Sequence, residues 1–193
     1  MALCGCRPGI DLADETLLDA KGREFHRQTF RHPDFPDRRV EAFWVKPEGR
    51  GPWPALLLVH GHQDVAIGGK MFVDWGRLHD LAAQGIFAVA VSQPGYGGSE
   101  GPPDYCGPAS QKAVLKVVRY LKQRPEISRV GLFGVSRGAI VAAMAAAQEG
   151  DLAAVVLSSG VYDLAKGIKW LRKRASTCEV CEGIAANIER ETG

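Results

Sequence analysis

The sequence predicts an α/β fold, with a largely parallel central sheet and helices on both faces. Three observations carry this. Short, unbroken apolar runs at 55–59, 86–91, 130–133 and 153–157 have the character of strands covered on both sides. Between them lie stretches whose apolar residues recur at helical spacing. Strand and helix alternate, with no internal repeat and no low-complexity tract, which is the pattern of a parallel sheet with crossover helices.

Each element can be justified in turn. Residues 1–22 are poorly periodic, with Cys4, Cys6, Pro8 and Gly9 close together, and are expected to form a loose arm. Polar and apolar residues roughly alternate over 23–32 and again over 40–46, where Val40, Ala42 and Trp44 share one parity. These are two strands joined by a turn at Pro33 to Asp37. After the run at 55–59 comes a glycine-containing turn (Gly61, Gly68, Gly69) and then a helix over 71–84, with Phe72, Trp75, Leu78, Leu81 and Ala82 near core spacing. The strand at 86–91 leads into the loop Pro94-Gly95-Tyr96-Gly97-Gly98-Ser99. Ala113, Val114, Val117, Val118 and Leu121 mark the inner face of the next helix, opposite Lys112, Lys116, Arg119 and Lys122. A strand at 130–133, a helix at 137–148 and a strand at 153–157 complete a core over 23–163. Residues 164–193 begin a helical excursion.

Composition narrows the function. Hydrophobic residues at 46% and charged residues at 24% fit a globular domain, and a net charge of +2 gives no footprint for nucleic acid or a membrane surface. No apolar run is long enough to span a bilayer, and residues 1–9 lack a secretory pattern. Five cysteines, an odd number without a disulfide-scaffold spacing, favour a reducing compartment, and the cytoplasm is expected.

The chemistry lies in Gly134-Val135-Ser136-Arg137-Gly138, between a buried strand and an Ala-rich helix. A strand-to-helix turn this sharp forces the serine backbone into a strained conformation, and side chains two residues either side would collide. Glycine at both flanks relieves the collision and leaves the Ser136 hydroxyl projecting above the sheet. A second piece is His60-Gly61-His62, at the end of an earlier buried strand. Acyl transfer needs two N–H donors aimed where charge develops on the carbonyl oxygen. The backbone N–H groups of Arg137 and His62 are placed to supply them. The His60 imidazole is read as structural, bonding nearby loop backbone, and the His62 imidazole as lining the pocket.

These motifs, in this order, with the glycine-rich loop 94–99 between them, resemble the α/β-hydrolase superfamily, in particular prolyl-oligopeptidase-like and dienelactone-hydrolase-like catalytic domains. The resemblance covers about residues 40–163. It implies a serine esterase or peptidase with Ser136 as nucleophile, His62 and Arg137 at the oxyanion hole, a small ester or peptide substrate, and no metal or organic cofactor. In that superfamily the acid and the histidine base follow the serine. No histidine follows Ser136 here; His26, His32, His60, His62 and His79 all precede it. The chain is therefore expected to lack the last strands and the base, and to work with a complementing segment or to be a non-catalytic fragment. Asp163, after the strand at 153–157, is a candidate acid, but a helix cap is the preferred reading.

Cys178 and Cys181 form a Cys-x-x-Cys that zinc could use together with Cys4 and Cys6, but small buried cysteines on an apolar helix stripe explain the spacing better. The basic run Lys166, Lys169, Arg172, Lys173, Arg174 reads as a solvated helix face. The Arg137 side chain is a candidate ligand for a substrate carboxylate. If the sheet ends at 153–157, its apolar edge is open to self-association or to a complementing chain.

Overall fold

The computed structural model describes residues 14–192. A seven-stranded sheet runs in the order β1-β2-β3-β5-β4-β6-β7. Its strands are β1 (Asp14–Leu18), β2 (Glu24–Arg31), β3 (Arg39–Val45), β4 (Trp53–Val59), β5 (Phe87–Val91), β6 (Ile127–Val135) and β7 (Ala154–Ser158). Strands β5, β4, β6 and β7 are parallel neighbours, and β1, β2 and β3 add an antiparallel wing. The helices are α1 (Lys70–Asp74), α2 (Arg77–Ala83), α3 (Pro108–Lys122), α4 (Arg137–Gln148), α5 (Leu164–Arg174) and α6 (Glu179–Thr192).

Strand alternation sorts the core into two faces. Val40, Ala42 and Trp44 of β3, Leu57 and Val59 of β4, and Val89 and Val91 of β5 pack with α3, α4 and Ile188 of α6. Phe43 and Val45, Leu58, and Ala88 and Ala90 point the other way, onto Met71, Phe72 and Leu78 of α1 and α2. The five residues expected on the inner face of α3 are all buried.

Three expectations are corrected. Within the expected arm at 1–22, residues 14–18 form β1, paired antiparallel with β2 from Asp14 opposite Gln28 to Leu18 opposite Glu24; residues 1–13, with Cys4 and Cys6, lie outside the described residues. The strand was hidden because all five of its residues are exposed, so no apolar alternation marks it. The helix expected over 71–84 is two helices, because Gly76 sits at φ +74° and breaks the run between them. Trp75, the last residue before the break, is 64% exposed instead of in the core. Cys178 and Cys181 are joined in a disulfide at the start of α6, so their sulfurs bind each other and not a metal.

Among the described strands, β7 pairs only with β6. Its Val155, Val156 and Leu157 are 39%, 50% and 40% exposed, on both faces of the strand. No described helix is long and apolar enough to cross a membrane.

Candidate active site

Strand β6 runs into the turn at Ser136 and α4 leaves it. Ser136 has φ 52° and ψ −121°, a conformation that a side-chain-bearing residue adopts only when its surroundings enforce it. The two flanking glycines show how close those surroundings are. A Cβ on Gly134 would stand 2.3 Å from the Gly138 carbonyl oxygen, and one on Gly138 would stand 2.1 Å from that of Val59. The Ser136 N–H donates to the Ser158 carbonyl at 2.8 Å, and the Ser136 carbonyl accepts from the Ala139 N–H at 3.0 Å. The turn is thus tied to β7 on one side and α4 on the other. The N–H of Arg137 opens α4, where helix geometry leaves donors without intrahelical partners.

The loop after β4 passes directly beside the serine. A Cβ on Gly61 would lie 3.0 Å from the Ser136 Cβ and 3.7 Å from its Oγ. His62, the next residue, therefore sits in the segment packed against Ser136. His60 holds that segment in place. Its Nδ1 meets the Gly61 carbonyl at 2.9 Å, and its Nε2 accepts the Gln93 N–H at 3.0 Å. The Gln93 side chain returns a 2.7 Å bond to the His60 carbonyl. This is the structural role expected for the ring, and it requires a neutral imidazole with its proton on Nδ1.

Burial, opposed in part by the Gly61 bond and reinforced by the nearby Arg137 charge, pushes His60 down to about 4 from an ordinary 6.5. Below pH 6.5 the unfolded chain protonates this histidine while the folded chain does not. Stability tied to His60 is therefore complete above 6.5, falls as pH drops, and stops falling near 4. The loss is about 3 kcal/mol over that window. Urea unfolding at pH 7, 6 and 5 should show the decline before most carboxylates titrate, and His60→Asn should reduce it to what the depressed His62 contributes. A wild-type curve flat over this range would contradict a neutral buried His60.

No described imidazole bonds the Ser136 hydroxyl, although the Nδ1 atoms of His62 and His79 are buried without a hydrogen-bond partner. His26 stacks on Trp44 with ring centroids 3.7 Å apart. His32 Nε2 meets the Ala109 carbonyl and His79 Nε2 the Glu24 carbonyl, each at 2.9 Å. His62 Nε2 accepts from the Asn187 side-chain amide at 3.2 Å, and burial with the Arg137 charge holds His62 below its ordinary range. Asp163 caps α5, accepting the Lys166 N–H at 3.0 Å, and that bond draws its carboxyl below the usual range.

The Arg137 side chain is not available to a substrate carboxylate as expected. It is fully buried, with Nη1 2.6 Å from Glu191 Oε2 and 2.9 Å from the Tyr96 hydroxyl, and Nε 3.3 Å from Gln93 Oε1. Its guanidinium also lies 4.9 Å and 5.1 Å from the Tyr96 and Tyr105 ring centroids. The Cys106 thiol, pushed up to about 12 chiefly by burial and so neutral, points its sulfur at the Arg137 carbonyl, 3.5 Å away. Sequence reasoning missed Gln93, Asn187 and Glu191. The signal was there for the last two, since they flank Ile184 and Ile188 on one helical stripe.

A parallel β5-β4-β6-β7 core with its serine at a strained strand-to-helix turn defines an α/β-hydrolase. Solved structures agree on the fold. An esterase from Pyrococcus furiosus superposes with TM-score 0.64 at 17% identity, covering 88% of this chain and 63% of its own. Acetyl xylan esterase 1 from Thermoanaerobacterium sp. gives 0.63 at 22% identity, covering 86% and 58%. Residues 38–187 match the X-Pro dipeptidyl-peptidase (S15 family), and the chain belongs to that family. It is also similar to the uncharacterised peptidase YtmA of Bacillus subtilis, 31% identical over 129 residues that make up 65% of this chain and 48% of YtmA. The esterase EstD of Thermotoga maritima is 29% identical over 123 residues, 59% of this chain and 29% of EstD. The matched segments thus span less than half the length of either relative.

Proposed function

We propose that this chain carries the nucleophile half of a serine hydrolase acting on a small ester or peptide. The Ser136 oxygen attacks the scissile carbonyl carbon while a base takes its proton. The carbonyl oxygen gains negative charge and is received by the N–H groups of His62 and Arg137. The alcohol or amine then leaves with a proton, and water releases the acid from the acyl-enzyme. The observation that carries the reading is the Ser136 backbone at φ 52° and ψ −121°, outside the left-handed helical region, held there between two glycines whose positions admit no Cβ. Ester and peptide substrates both stay open, since the matched relatives include proteins named for each. None of the described imidazoles bonds the Ser136 hydroxyl, so the reading assigns the base to none of their present contacts.

A fluorophosphonate probe tests this. Covalent labelling of the wild-type chain that vanishes in Ser136→Ala is the expected result. Absence of labelling in a chain shown to be folded would favour a second reading, a non-catalytic fragment. That reading draws on the five imidazoles, each of which contacts another group and none of which bonds Ser136.

The open edge of β7 is proposed to take an added strand, from a complementing segment or from a second copy. Its unpaired backbone groups and exposed valines support this. Sedimentation should show concentration-dependent association that Val156→Lys reduces, and a monomer at every concentration would argue against the copy. A cytoplasmic location is proposed on the odd cysteine count. The Cys178–Cys181 bridge weighs against it, and thiol trapping in cells decides.

A further inference from the structure

The inward stripe of α6 is Ile184, Asn187, Ile188 and Glu191. Ile188 is buried in the core and Ile184 packs against it, as a scaffolding helix requires. Asn187 and Glu191, one helical turn apart on the same face, are polar. Polar groups on an inward stripe are costly unless partnered. Their partners are His62 and Arg137, the two residues read as oxyanion donors. The Asn187 amide donates to His62 Nε2 at 3.2 Å, and Glu191 Oε2 lies 2.6 Å from Arg137 Nη1. Glu191 Oε2 also accepts the Tyr105 N–H at 2.9 Å, which closes the strained loop of Tyr105 (φ 32°) and Cys106 (φ 68°) around Arg137. The Cys106 sulfur lies 3.5 Å from the Arg137 carbonyl, on the backbone next to the N–H in question.

We propose that α6 positions the oxyanion hole, with Asn187 and Glu191 as positioning residues that hold His62 and Arg137. This rests on the reading of those two backbone N–H groups as oxyanion donors. The argument is one of supply. His60 anchors the backbone of the loop from its inner side, and the Val65 carbonyl accepts the Gly97 N–H at 2.7 Å further on, whereas the His62 side chain takes its hydrogen bond from Asn187, on another element. Arg137 is a buried cation, and Glu191 is the carboxylate that keeps it seated. An apolar helix would pack as well against the core. Polar residues at these two positions make sense as orientation of the donors, whose value depends on aim to a fraction of an ångström.

The test is the rate of phosphonylation of Ser136 by a fluorophosphonate, whose phosphoryl oxygen enters the same hole. Asn187→Ala is the primary variant, since Asn187 is only half-buried and its loss removes no charge. Its maximal labelling rate should fall about tenfold or more with half-saturating probe concentration unchanged, the split expected when a transition-state contact is disturbed. Glu191→Gln should show the same split, and Glu191→Asp should recover part of the rate. Labelling of folded Asn187→Ala and Glu191→Gln at the wild-type rate, or a loss confined to half-saturation, overturns this inference alone. A wild-type chain that does not label overturns the nucleophile reading, and this one with it.

Discussion

Gly138→Ala is expected to destabilise the fold by about 3 kcal/mol or more and to abolish labelling of Ser136, because no flexible group can give way. The new Cβ would stand 2.1 Å from the Val59 carbonyl oxygen and 2.5 Å from that of His60. Both belong to backbone at the end of β4, which is hydrogen-bonded to β5 on one side and β6 on the other. The strand cannot retreat, so α4 must move outward. That motion strips packing from Ala139, Val141, Ala142 and Ala145, all fully buried. It also drags the Arg137 N–H, at the first turn of α4, away from Ser136. Gly183→Ala in α6 is the control. Its Cβ meets nothing within 4 Å, and alanine in a helix should be neutral or stabilising by about 0.5–1 kcal/mol. Thermal and urea unfolding of both variants measures the contrast. A Gly138→Ala cost near 1 kcal/mol would mean that α4 slides over β4 far more easily than this packing allows.

The glycines illustrate what a sequence can disclose. Gly134 and Gly138 flank the serine at fixed offsets, so the local pattern carries the steric reason with it. The parallel strands were legible for a similar reason, since burial on both faces writes an unbroken apolar run such as 55–59. Strand β1 carried no such mark, because an exposed edge strand has no burial to record in its residues. The break at Gly76 was hidden among apolar residues that keep helical spacing through Trp75, and a lone glycine there reads as a tolerated one. The Arg137 side chain was misjudged because its partner is far along the chain. Only the fold brings Glu191 to it, and no periodicity within 137–148 foretells that. Asn187 was missed on the same grounds, although its place on the stripe with Ile184 and Ile188 could have flagged it.

Glu191→Leu is expected to destabilise the chain by about 3–5 kcal/mol, the cost of leaving a buried charge without its counter-charge. The Arg137 side chain is 0% exposed and that of Glu191 3%, so water cannot take over the lost interaction. Tyr96 and Gln93 would still bond the guanidinium, but neither carries charge. The Tyr105 N–H would lose its acceptor as well, in a loop that already holds two residues at positive φ. Removing the cation too changes the balance. Arg137→Met combined with Glu191→Leu replaces a desolvated pair by apolar groups of similar length, a change that is often neutral for stability. Here recovery should be incomplete, since the Tyr96 hydroxyl and the Gln93 side-chain carbonyl would then lack the donor they now share. Urea unfolding of the wild type, both single variants and the double variant closes the cycle, and a coupling of about 2 kcal/mol or more is expected. Additive single effects would show that the pair is not held together in solution, and α6 would then be a helix lying near the elbow without being fastened to it.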